Sequence, residues 1–386
     1  MKYNRILVFS TDDHLYPAGG AEQAFGNITE RLSHIHFDLV CARLRRGTKT
    51  YEEVKNVHIY RIGFGIPRVD GILLAIFGFY KARWLMQKYQ YDLVWSIMAS
   101  YGAFSAVRVK KEYKLPFLLT LQEGDSFEYI YNRVKYVRKQ FSAIFQNADG
   151  IQAISQYLLL WGKEMGYQGV NSAVIPNGVA LEKFTHVYAL EEIEKTRTSF
   201  QFSKDAYVLI SNSRLEKKNG IIDVINALPS LPSYVCFVIC GSGSLEPLLR
   251  ARVSELGLDK RVRFMGFVNP YALPLLMNAS NLFIRPSLSE GLGNAFLEAM
   301  ATRILVIGTN AGGIPDFLTD NETGFVVEIG NPESIVRVVN NILCLDNATK
   351  EKIIEKAYMM VIKKYNWDLV SSNMEQMFHK ISLCRQ

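Results

Sequence analysis

Short apolar runs alternate with helical patterns along the whole chain, and this alternation constrains the fold more than any other feature. The runs at residues 6–10, 37–42 and 207–212 are rich in β-branched and aromatic side chains, and helix-like segments separate many such runs. This order is typical of parallel sheets with helices on both faces. Because 386 residues are too many for one ordinary core, the sequence predicts two doubly wound α/β domains that face one another.

The linker between the domains is predicted in the polar stretch 180–204, which follows a Pro-Asn-Gly turn at 176–178 and precedes a fresh strand. In doubly wound sheets, ligands bind beyond the carboxyl ends of the strands, where the strand order reverses. Two facing sheets therefore predict a ligand site in the cleft between the domains.

The net charge of +7 comes entirely from the first half of the chain. Residues 1–190 hold 23 basic and 16 acidic side chains, whereas 191–386 hold 21 of each. The basic side chains between Lys81 and Lys139 lie near aromatic ones and follow the apolar run 71–80, which favours contact with anionic lipid headgroups. A solvated basic helix face explains the pattern equally well. Nucleic acid is not expected as a partner, because the sequence lacks helix-turn-helix, zinc-finger and RNP patterns.

Composition also suggests a compartment. The run 71–80 is about half as long as a membrane-spanning helix, and no signal-peptide pattern follows Met1. The five cysteines form no CxxC pair. Cys236, Cys240 and Cys344 lie in apolar runs, which indicates buried free thiols in a reducing compartment. We therefore expect a cytoplasmic protein that touches the cytoplasmic face of a membrane.

The strongest chemical signal is the segment 289–300, which reads SEGLGNAFLEAM and follows a predicted strand at 282–285. Gly291 and Gly293 let the backbone pass close to a ligand. A helix is predicted to begin near Asn294, so its N–H groups and positive dipole end form an anion site.

Two carboxylates in this segment have different predicted tasks. Glu290 lies in the loop before the helix and can reach a sugar hydroxyl. Glu298 lies about one turn into the helix and can accept two hydrogen bonds from a vicinal diol such as a ribose. The alternative is one helix-start carboxylate and one surface carboxylate without a ligand.

The second signal is the segment 211–220, which reads SNSRLEKKNG at the end of a predicted strand. Arg214 offers a planar fork for phosphate oxygens, and Lys218 offers a point charge. Opposite the helix that begins at Asn294, the two cations can clamp a diphosphate. The alternative is a solvated basic turn.

Three glycine turns add weaker support. Gly19 and Gly20 precede a predicted helix, and the segment 312–316, which reads GGIPD, is predicted to start another. The GSGS turn at 241–244 lacks the third glycine of a dinucleotide fingerprint, which argues against an NAD enzyme.

These segments together resemble the family 4 glycosyltransferases, which adopt the GT-B arrangement of two Rossmann-like domains. The shared motifs follow the family's order over essentially the whole chain: GGAE at 19–22, PNG at 176–178, SRLEKKNG at 213–220, CGSGS at 240–244, VRFMGFV at 262–268, SEGLGNAFLEAM at 289–300 and GGIPD at 312–316. The resemblance implies an acceptor-binding domain at 1–185, a nucleotide-sugar-binding domain at 186–364, and a last helix at 365–386 that crosses back to the first domain.

The resemblance also implies an activity: a retaining, metal-independent transfer of sugar from a UDP- or GDP-sugar to a lipid-linked or polysaccharide acceptor, with no cofactor. Carried over by position, Glu290 contacts the donor sugar and Glu298 the ribose, while Arg214 and Lys218 neutralise the diphosphate. The other implied donor contacts are Gly20, Gly243, Val268 against the base, Gly291, Leu292, Gly293 and Asn294.

The chain departs from the family's pattern in two places. Asn219 stands directly before the glycine where the family often has lysine, so the role of Lys218 rests on a shifted position. The segment 121–125 reads LQEGD and lacks the family's frequent histidine. Gln122 and Asp125 are candidates for that histidine's role, with a helix cap as the alternative for Asp125. His14 is a further candidate, and a plain loop histidine is its alternative.

Other interpretations remain open at this point. Asp12 and Asp13 are contiguous and form no Asp-x-Asp pair, so Arg214 and Lys218 are predicted to replace a divalent cation. A catalytically silent partner subunit of a glycosyltransferase, or a nucleotide-sugar epimerase of the same fold, is the alternative to a transferase.

Overall fold

In the computed structural model, which describes residues 5–13, 15 and 19–384, the chain packs as two compact units. Unit 1 comprises Met1–Gly178 and Trp367–Gln386, and unit 2 comprises Val179–Asn366. The boundaries expected from the sequence, after residues 185 and 364, lie a few residues away. Both ends of unit 2 are joined to each other, because Val179 N–H donates to the carbonyl oxygen of Tyr365 at 2.7 Å.

Unit 1 is built, within the described residues, on a sheet of eight strands in the order β3-β4-β2-β1-β5-β6-β7-β8. The strands are β1 (Arg5–Phe9), β2 (His36–Ala42), β3 (Tyr51–Val54), β4 (Val57–Ile62), β5 (Leu93–Ile97), β6 (Phe117–Leu121), β7 (Gly150–Ala153) and β8 (Asn171–Val174). Every neighbouring pair is parallel except β3 with β4, which form an antiparallel hairpin at the edge. The expected parallel sheet is confirmed, and the exception is this edge, where the two-residue turn between β3 and β4 permits only antiparallel pairing.

Helices cover this sheet: α1 (Gly20–Arg31), α2 (Pro67–Met86), α3 (Tyr101–Tyr113), α4 (Phe127–Val134), α5 (Arg138–Gln146) and α6 (Gln156–Glu164). The central strands are apolar throughout, as expected for strands buried on both faces, and Ile6, Leu7, Val8 and Phe9 of β1 are fully buried.

Unit 2 holds, in the described part of the chain, a parallel sheet of six strands in the order β11-β10-β9-β12-β13-β14. Its strands are β9 (Tyr207–Asn212), β10 (Val235–Cys240), β11 (Val262–Gly266), β12 (Leu282–Ile284), β13 (Leu305–Gly308) and β14 (Phe325–Val326). Its helices are α7 (Leu181–Phe184), α8 (Leu190–Ser199), α9 (Ile221–Ala227), α10 (Glu246–Glu255), α11 (Leu273–Asn278), α12 (Asn294–Ala301), α13 (Pro332–Cys344) and α14 (Asn347–Lys364).

The last helix, α15 (Trp367–Ser382), belongs to unit 1 and packs against α1. Its apolar face enters the core, where the Phe378 ring lies 5.0 Å from the Trp95 ring and 6.4 Å from the Phe37 ring, centroid to centroid. The C-terminal segment is therefore part of the first unit's core.

The predicted linker at 180–204 is instead largely helical, since it contains α7 and α8. Arg197 of α8 donates to the carbonyl oxygen of Ala279 at 3.0 Å and to Oδ1 of Asn281 at 3.1 Å. These bonds fix α8 to the body of unit 2. The polar composition that suggested a linker reflects the solvated outer face of a surface helix.

The structure corrects two other expectations, the burial of Cys344 and the helix after Gly313. Cys41, Cys236 and Cys240 are buried, but Cys344 is exposed, because it ends α13 on that helix's outer side. The predicted helix after Gly313 is a single 3₁₀ turn, Ile314–Asp316, since the backbone leaves helical geometry at Phe317. Among the residues that the structure describes, no helix is both long and apolar enough to cross a bilayer.

The strand orders locate the ligand-binding edges. In unit 2 the order reverses between β9 and β12, and in unit 1 it reverses between β1 and β5. The loops after these four strands therefore flank the positions where doubly wound sheets bind ligands.

Candidate functional site

Four loops of unit 2 follow the carboxyl ends of adjacent strands, and we call them the carboxyl-edge loops. They follow β9, β10, β12 and β13 and comprise residues 213–220, 241–244, 286–293 and 309–313. Each contains one of the glycine-rich motifs noted in the sequence.

Backbone hydrogen bonds tie the carboxyl-edge loops together. Leu288 N–H donates to the carbonyl oxygen of Lys218 at 2.7 Å, and Gly313 N–H donates to that of Glu290 at 3.1 Å. The segment that carries Glu290 is therefore held from both sides by its neighbours.

The N-terminus of α12 lies within this edge, and the helix begins at Asn294, as the sequence predicts. Gly293 precedes it with φ of +103°, a left-handed conformation that favours glycine. Gly291, Leu292 and Gly293 are buried and Asn294 is half-buried. The first N–H groups of α12 are thus presented at the edge, which suits an anion.

Glu290 is oriented by a residue that the sequence analysis missed. Nη2 of Arg285 lies 2.6 Å from Oε1 of Glu290, and Ser287 Oγ donates to the same oxygen at 3.2 Å. Arg285 is only 6% exposed. A signal was present, because an arginine that directly extends a buried Leu-Phe-Ile strand needs a charged or polar partner.

Glu298 lies in the second turn of α12, where neighbouring groups desolvate its carboxyl. Burial raises its pKa to about 7, and the positive charges of Arg285 and Lys183 oppose that rise. Lys183, also missed in the sequence, lies with Nζ 4.0 Å from the centroid of the Tyr271 ring. Burial thus outweighs the two positive charges, and the pKa of Glu298 lies near neutral pH.

The segment 213–220 presents its cations at the same edge. Arg214 is exposed, and Lys218 is half-buried in the 3₁₀ turn Lys217–Asn219. Asn219 is 4% exposed, and its Nδ2 donates to the carbonyl oxygen of Arg214 at 2.6 Å. The asparagine that stands in place of the expected lysine thus braces the turn.

Gly243 and Val268 lie on loops after β10 and β11. A Cβ atom on Gly243 would lie 2.5 Å from the carbonyl oxygen of Leu215, so the 241–244 turn packs directly on the 213–220 turn. Val268 is half-buried two residues after β11 ends. Their contact with a base stays a prediction.

In unit 1, the two neighbouring aspartates are held by arginines. Asp12 accepts from Nη1 and Nη2 of Arg45 at 2.9 and 2.8 Å, and Asp13 accepts from Nε of Arg61 at 2.7 Å. Gly20 is the first residue of α1 and is exposed. His14 lies outside the described residues.

The loop after β6 holds Gln122 and Asp125. Oε1 of Gln122 accepts from Nδ2 of Asn177 at 3.3 Å. Asp125 is half-buried. The cap of α4 is Ser126, whose Oγ accepts from Tyr129 N–H, so the alternative of a capping role for Asp125 was wrong by one residue.

Glu123, between them, is the group in this loop that sequence reasoning passed over. It is 6% exposed, and its Oε1 accepts from Ala99 N–H at 2.7 Å. Burial raises its pKa to about 7. Met98, beside Ala99, has φ of +66°, a strained conformation for a side-chain-bearing residue. This strain and the buried carboxyl lie beside the switch point of the first sheet.

The described residues, 5–13, 15 and 19–384, contain no group of three or more His, Cys, Asp or Glu side chains arranged to hold a metal ion. Metal independence stays a prediction.

Two family models match the chain. The model for glycosyltransferase family 4 matches residues 18–183, and the model for glycosyl transferases group 1 matches residues 192–360. Together they account for most of both units.

Three relatives illustrate the similarity. An uncharacterized glycosyltransferase of Methanocaldococcus jannaschii is 31% identical over 200 residues, 51% of each chain. The lipopolysaccharide core biosynthesis glycosyltransferase LpsE of Rhizobium meliloti is 28% identical over 45% of this chain and 50% of its own. A GDP-mannose-dependent alpha-(1-6)-phosphatidylinositol monomannoside mannosyltransferase of Mycobacterium tuberculosis is 23% identical over 96% of this chain and 97% of its own. The matched region thus spans about half the length of the first two relatives.

Solved structures share the fold. Sucrose-phosphate synthase from Thermosynechococcus elongatus superposes with a TM-score of 0.86 at 20% identity, over 98% of this chain and 99% of its own. HepE from Anabaena, solved in complex with UDP and glucose, gives 0.79 at 18% identity, over 98% and 100%. With these GT-B folds, the two family models and the motifs gathered at the carboxyl edge, the chain belongs to the family 4 glycosyltransferases.

Proposed function

We propose that the chain is a retaining glycosyltransferase that moves a sugar from a nucleoside-diphosphate sugar to a lipid-linked or polysaccharide acceptor. The observation that carries the proposal is the arrangement around the N-terminus of α12. Glu290 and Glu298 share the neighbouring cation Arg285, and Arg214 and Lys218 stand on the adjoining loop.

The site suits departure of a diphosphate. As the bond from the anomeric carbon to the diphosphate breaks, negative charge grows on the leaving oxygens. Arg214, Lys218 and the first N–H groups of α12 can donate to that charge, and preorganised donors stabilise the transition state more than the ground state. In the proposed retaining reaction the acceptor hydroxyl attacks from the face that the diphosphate leaves and passes its proton to the leaving phosphate oxygen.

The donor is proposed to lie with its ribose at Glu298 and its sugar at Glu290. Relatives and structural neighbours support a nucleoside-diphosphate donor, since one relative is named as GDP-mannose-dependent and HepE was solved with UDP-glucose. The proposed acceptor class is supported by relatives named for lipopolysaccharide core and phosphatidylinositol mannoside synthesis.

The activity can be tested with purified protein and a panel of UDP- and GDP-sugars, with and without a membrane lipid extract. We expect release of one nucleoside diphosphate, faster with the extract, and unchanged by EDTA. The glycosidic bond formed in the product, assigned by NMR, should keep the anomeric configuration of the donor. Absence of release with every donor would instead support a catalytically silent partner subunit.

The pH dependence of donor binding follows from Glu298. A ribose diol donates hydrogen bonds to the carboxylate, so binding requires loss of the proton that Glu298 carries below its pKa of about 7. We expect the affinity for a nucleotide sugar to be constant above pH 8 and to fall about tenfold per pH unit well below 7. Calorimetry should use the intact nucleotide sugar, because the terminal phosphate of a free nucleoside diphosphate titrates in the same range.

Glu298→Gln is the control for this dependence. It should bind more weakly and show a flat profile between pH 6 and 8. A wild-type profile that is also flat would remove Glu298 from the donor site.

We further propose that unit 1 docks on an anionic membrane surface, such as the cytoplasmic face of a bilayer. Exposed apolar and aromatic side chains of α2 lie beside basic side chains of α2 and of neighbouring segments. We call all of them together the basic–aromatic surface: Ile72, Ile76, Phe77, Tyr80, Trp84, Lys81, Lys88 and Arg108. Nζ of Lys88 lies 3.7 Å from the centroid of the Trp84 ring. Cations held over exposed rings suit the junction of lipid headgroups and acyl chains.

Vesicle flotation tests this docking. We expect binding to vesicles that contain phosphatidylglycerol, loss of binding at high salt, and little binding to phosphatidylcholine alone. The double variant Lys81→Glu/Lys88→Glu should bind roughly thirtyfold more weakly or worse, at about 1 kcal/mol per basic residue. Lys163→Glu/Lys195→Glu makes the same charge change elsewhere and should bind like the wild type. Equal loss in both pairs would contradict a local docking surface.

A further inference from the structure

Arg285 is a buried cation at the carboxyl end of β12. Its backbone N–H donates to the carbonyl oxygen of Ile307 at 3.1 Å, so it continues the pairing of β12 with β13. Strand positions of this kind are normally apolar, and a buried arginine is retained only with partners that compensate its desolvation.

The guanidinium of Arg285 joins three elements of unit 2. Nη2 lies 2.6 Å from Oε1 of Glu290, and Nη1 donates to the carbonyl oxygen of Asn212, at the end of β9, at 3.3 Å. The guanidinium carbon lies 4.7 Å from the centroid of the Phe296 ring on α12. A planar, multiply donating group can bridge these positions at once, which a lysine ammonium on a flexible stem does less well.

The contacts of Arg285 do not fully compensate the free energy of burying its guanidinium. Its Nε–H is buried and has no hydrogen-bond partner among the described residues. A buried donor without a partner costs stability, and replacing a buried ion pair by apolar groups is often neutral or stabilising. Packing alone therefore does not account for a charged side chain at this position, which points to what its charge does for its neighbours.

The positive charge of Arg285 acts on both carboxylates of the candidate site, Glu290 and Glu298. Arg285 contacts Glu290 directly, and its charge lowers the pKa of Glu298 against the effect of burial. These are the two groups that the proposed function places at the donor's sugar and ribose.

We propose that Arg285 is a positioning residue for the donor: it fixes the carboxylate of Glu290 toward the sugar and lies against the helix that carries Glu298. This inference rests on the proposed function. One guanidinium then acts on both carboxylates that are assigned to the donor, by a direct contact with Glu290 and by its charge on Glu298.

The test compares the wild type with Arg285→Met, Arg285→Lys and the control Arg261→Met. Arg261 is a partly buried arginine of unit 2 that donates to the carbonyl oxygens of Val235, Leu231 and Pro232, at the amino end of the sheet. For each protein, the thermal unfolding midpoint, kcat, KM and the pH profile of nucleotide-sugar affinity are measured.

We expect Arg285→Met to lower kcat and to move the pH midpoint of affinity upward by about one unit, since a nearby opposite charge typically lowers a carboxyl pKa by one to three units. Arg285→Lys keeps the charge but not the bridge, so its pH midpoint should stay near that of the wild type while kcat falls. Arg261→Met should change neither quantity beyond any effect on unfolding.

The inference is overturned if both Arg285 variants keep the wild-type kcat and pH midpoint, or if they change only the unfolding temperature. If Arg285→Met does not fold, Arg285→Lys decides, because a purely structural role predicts no fall in its kcat once it is folded. A wild type that binds no nucleotide sugar contradicts the proposed function itself, and that result is distinct from a failure of the Arg285 variants alone.

Discussion

Replacing Glu290 by Gln is expected to lower kcat roughly 10²–10³-fold, the usual effect of removing one preorganised electrostatic group. The substitution keeps the size of the side chain but removes the charge that pairs with Arg285. Under the proposed function this carboxylate contacts the donor sugar, so a fixed charge beside the reacting centre is lost. The measurement is kcat at saturating donor, with nucleoside-diphosphate affinity measured separately by calorimetry.

We expect kcat and nucleoside-diphosphate affinity to respond differently to this substitution. Glu290 is assigned to the sugar and Glu298 to the ribose, so affinity for the nucleoside diphosphate should change little in Glu290→Gln. Glu355→Gln is the control, because Glu355 is a surface carboxylate that pairs with Arg303. A kcat within about twofold of the wild type would contradict the assignment of Glu290. A loss of nucleotide affinity as large as the loss of kcat would move Glu290 to the nucleotide.

Gly312→Ala is expected to destabilise unit 2 by roughly 3–5 kcal/mol, the sum of backbone strain and steric overlap. Gly312 has φ of +58°, and a Cβ atom there would lie 1.8 Å from the carbonyl oxygen of Glu290. That overlap is with backbone, so the loop that carries Glu290 must shift. Denaturant unfolding measures the loss of stability, and any protein that remains folded should also have lost turnover.

Gly330→Ala separates strain from overlap. Gly330 has φ of +67°, yet a Cβ atom there would meet nothing within 4 Å. We expect a loss of only about 1–2 kcal/mol and normal turnover. Similar losses in the two variants would show that the contact between Gly312 and the Glu290 loop is unimportant.

The parts of the site that the sequence predicts well are those that local rules determine. Gly293 and Asn294 mark a strand–turn–helix, and glycine before a helix needs no tertiary information to be recognised. The segment 213–220 was likewise placed at the end of a strand by the apolar run before it. The two segments lie about 75 residues apart in the chain, and the family motifs predict that they lie side by side. The hydrogen bond from Leu288 N–H to the carbonyl oxygen of Lys218 joins them in the structure.

The missed residues depend on tertiary structure. Whether Arg285 and Glu123 are buried, and which groups compensate them, depends on elements far away in sequence, such as β9 and Ala99. The edge strand β3 was missed because Glu52 and Glu53 form the middle of its four residues, so the strand lacks the apolar run of the central ones. The sequence of α8 predicts a linker because only a narrow face of the helix packs toward α11 and the rest of it is polar.

A thermal-shift screen against UDP, GDP and ADP tests most directly whether the carboxyl edge of unit 2 binds a nucleoside diphosphate. At about 100 times its dissociation constant, the right nucleotide should add roughly 2.7 kcal/mol of stability. We predict a clear rise in unfolding temperature with one nucleotide, lost in Glu298→Ala and in Arg214→Ala. No shift with any of the three, or a shift that both variants retain, would contradict a nucleoside-diphosphate site at this edge.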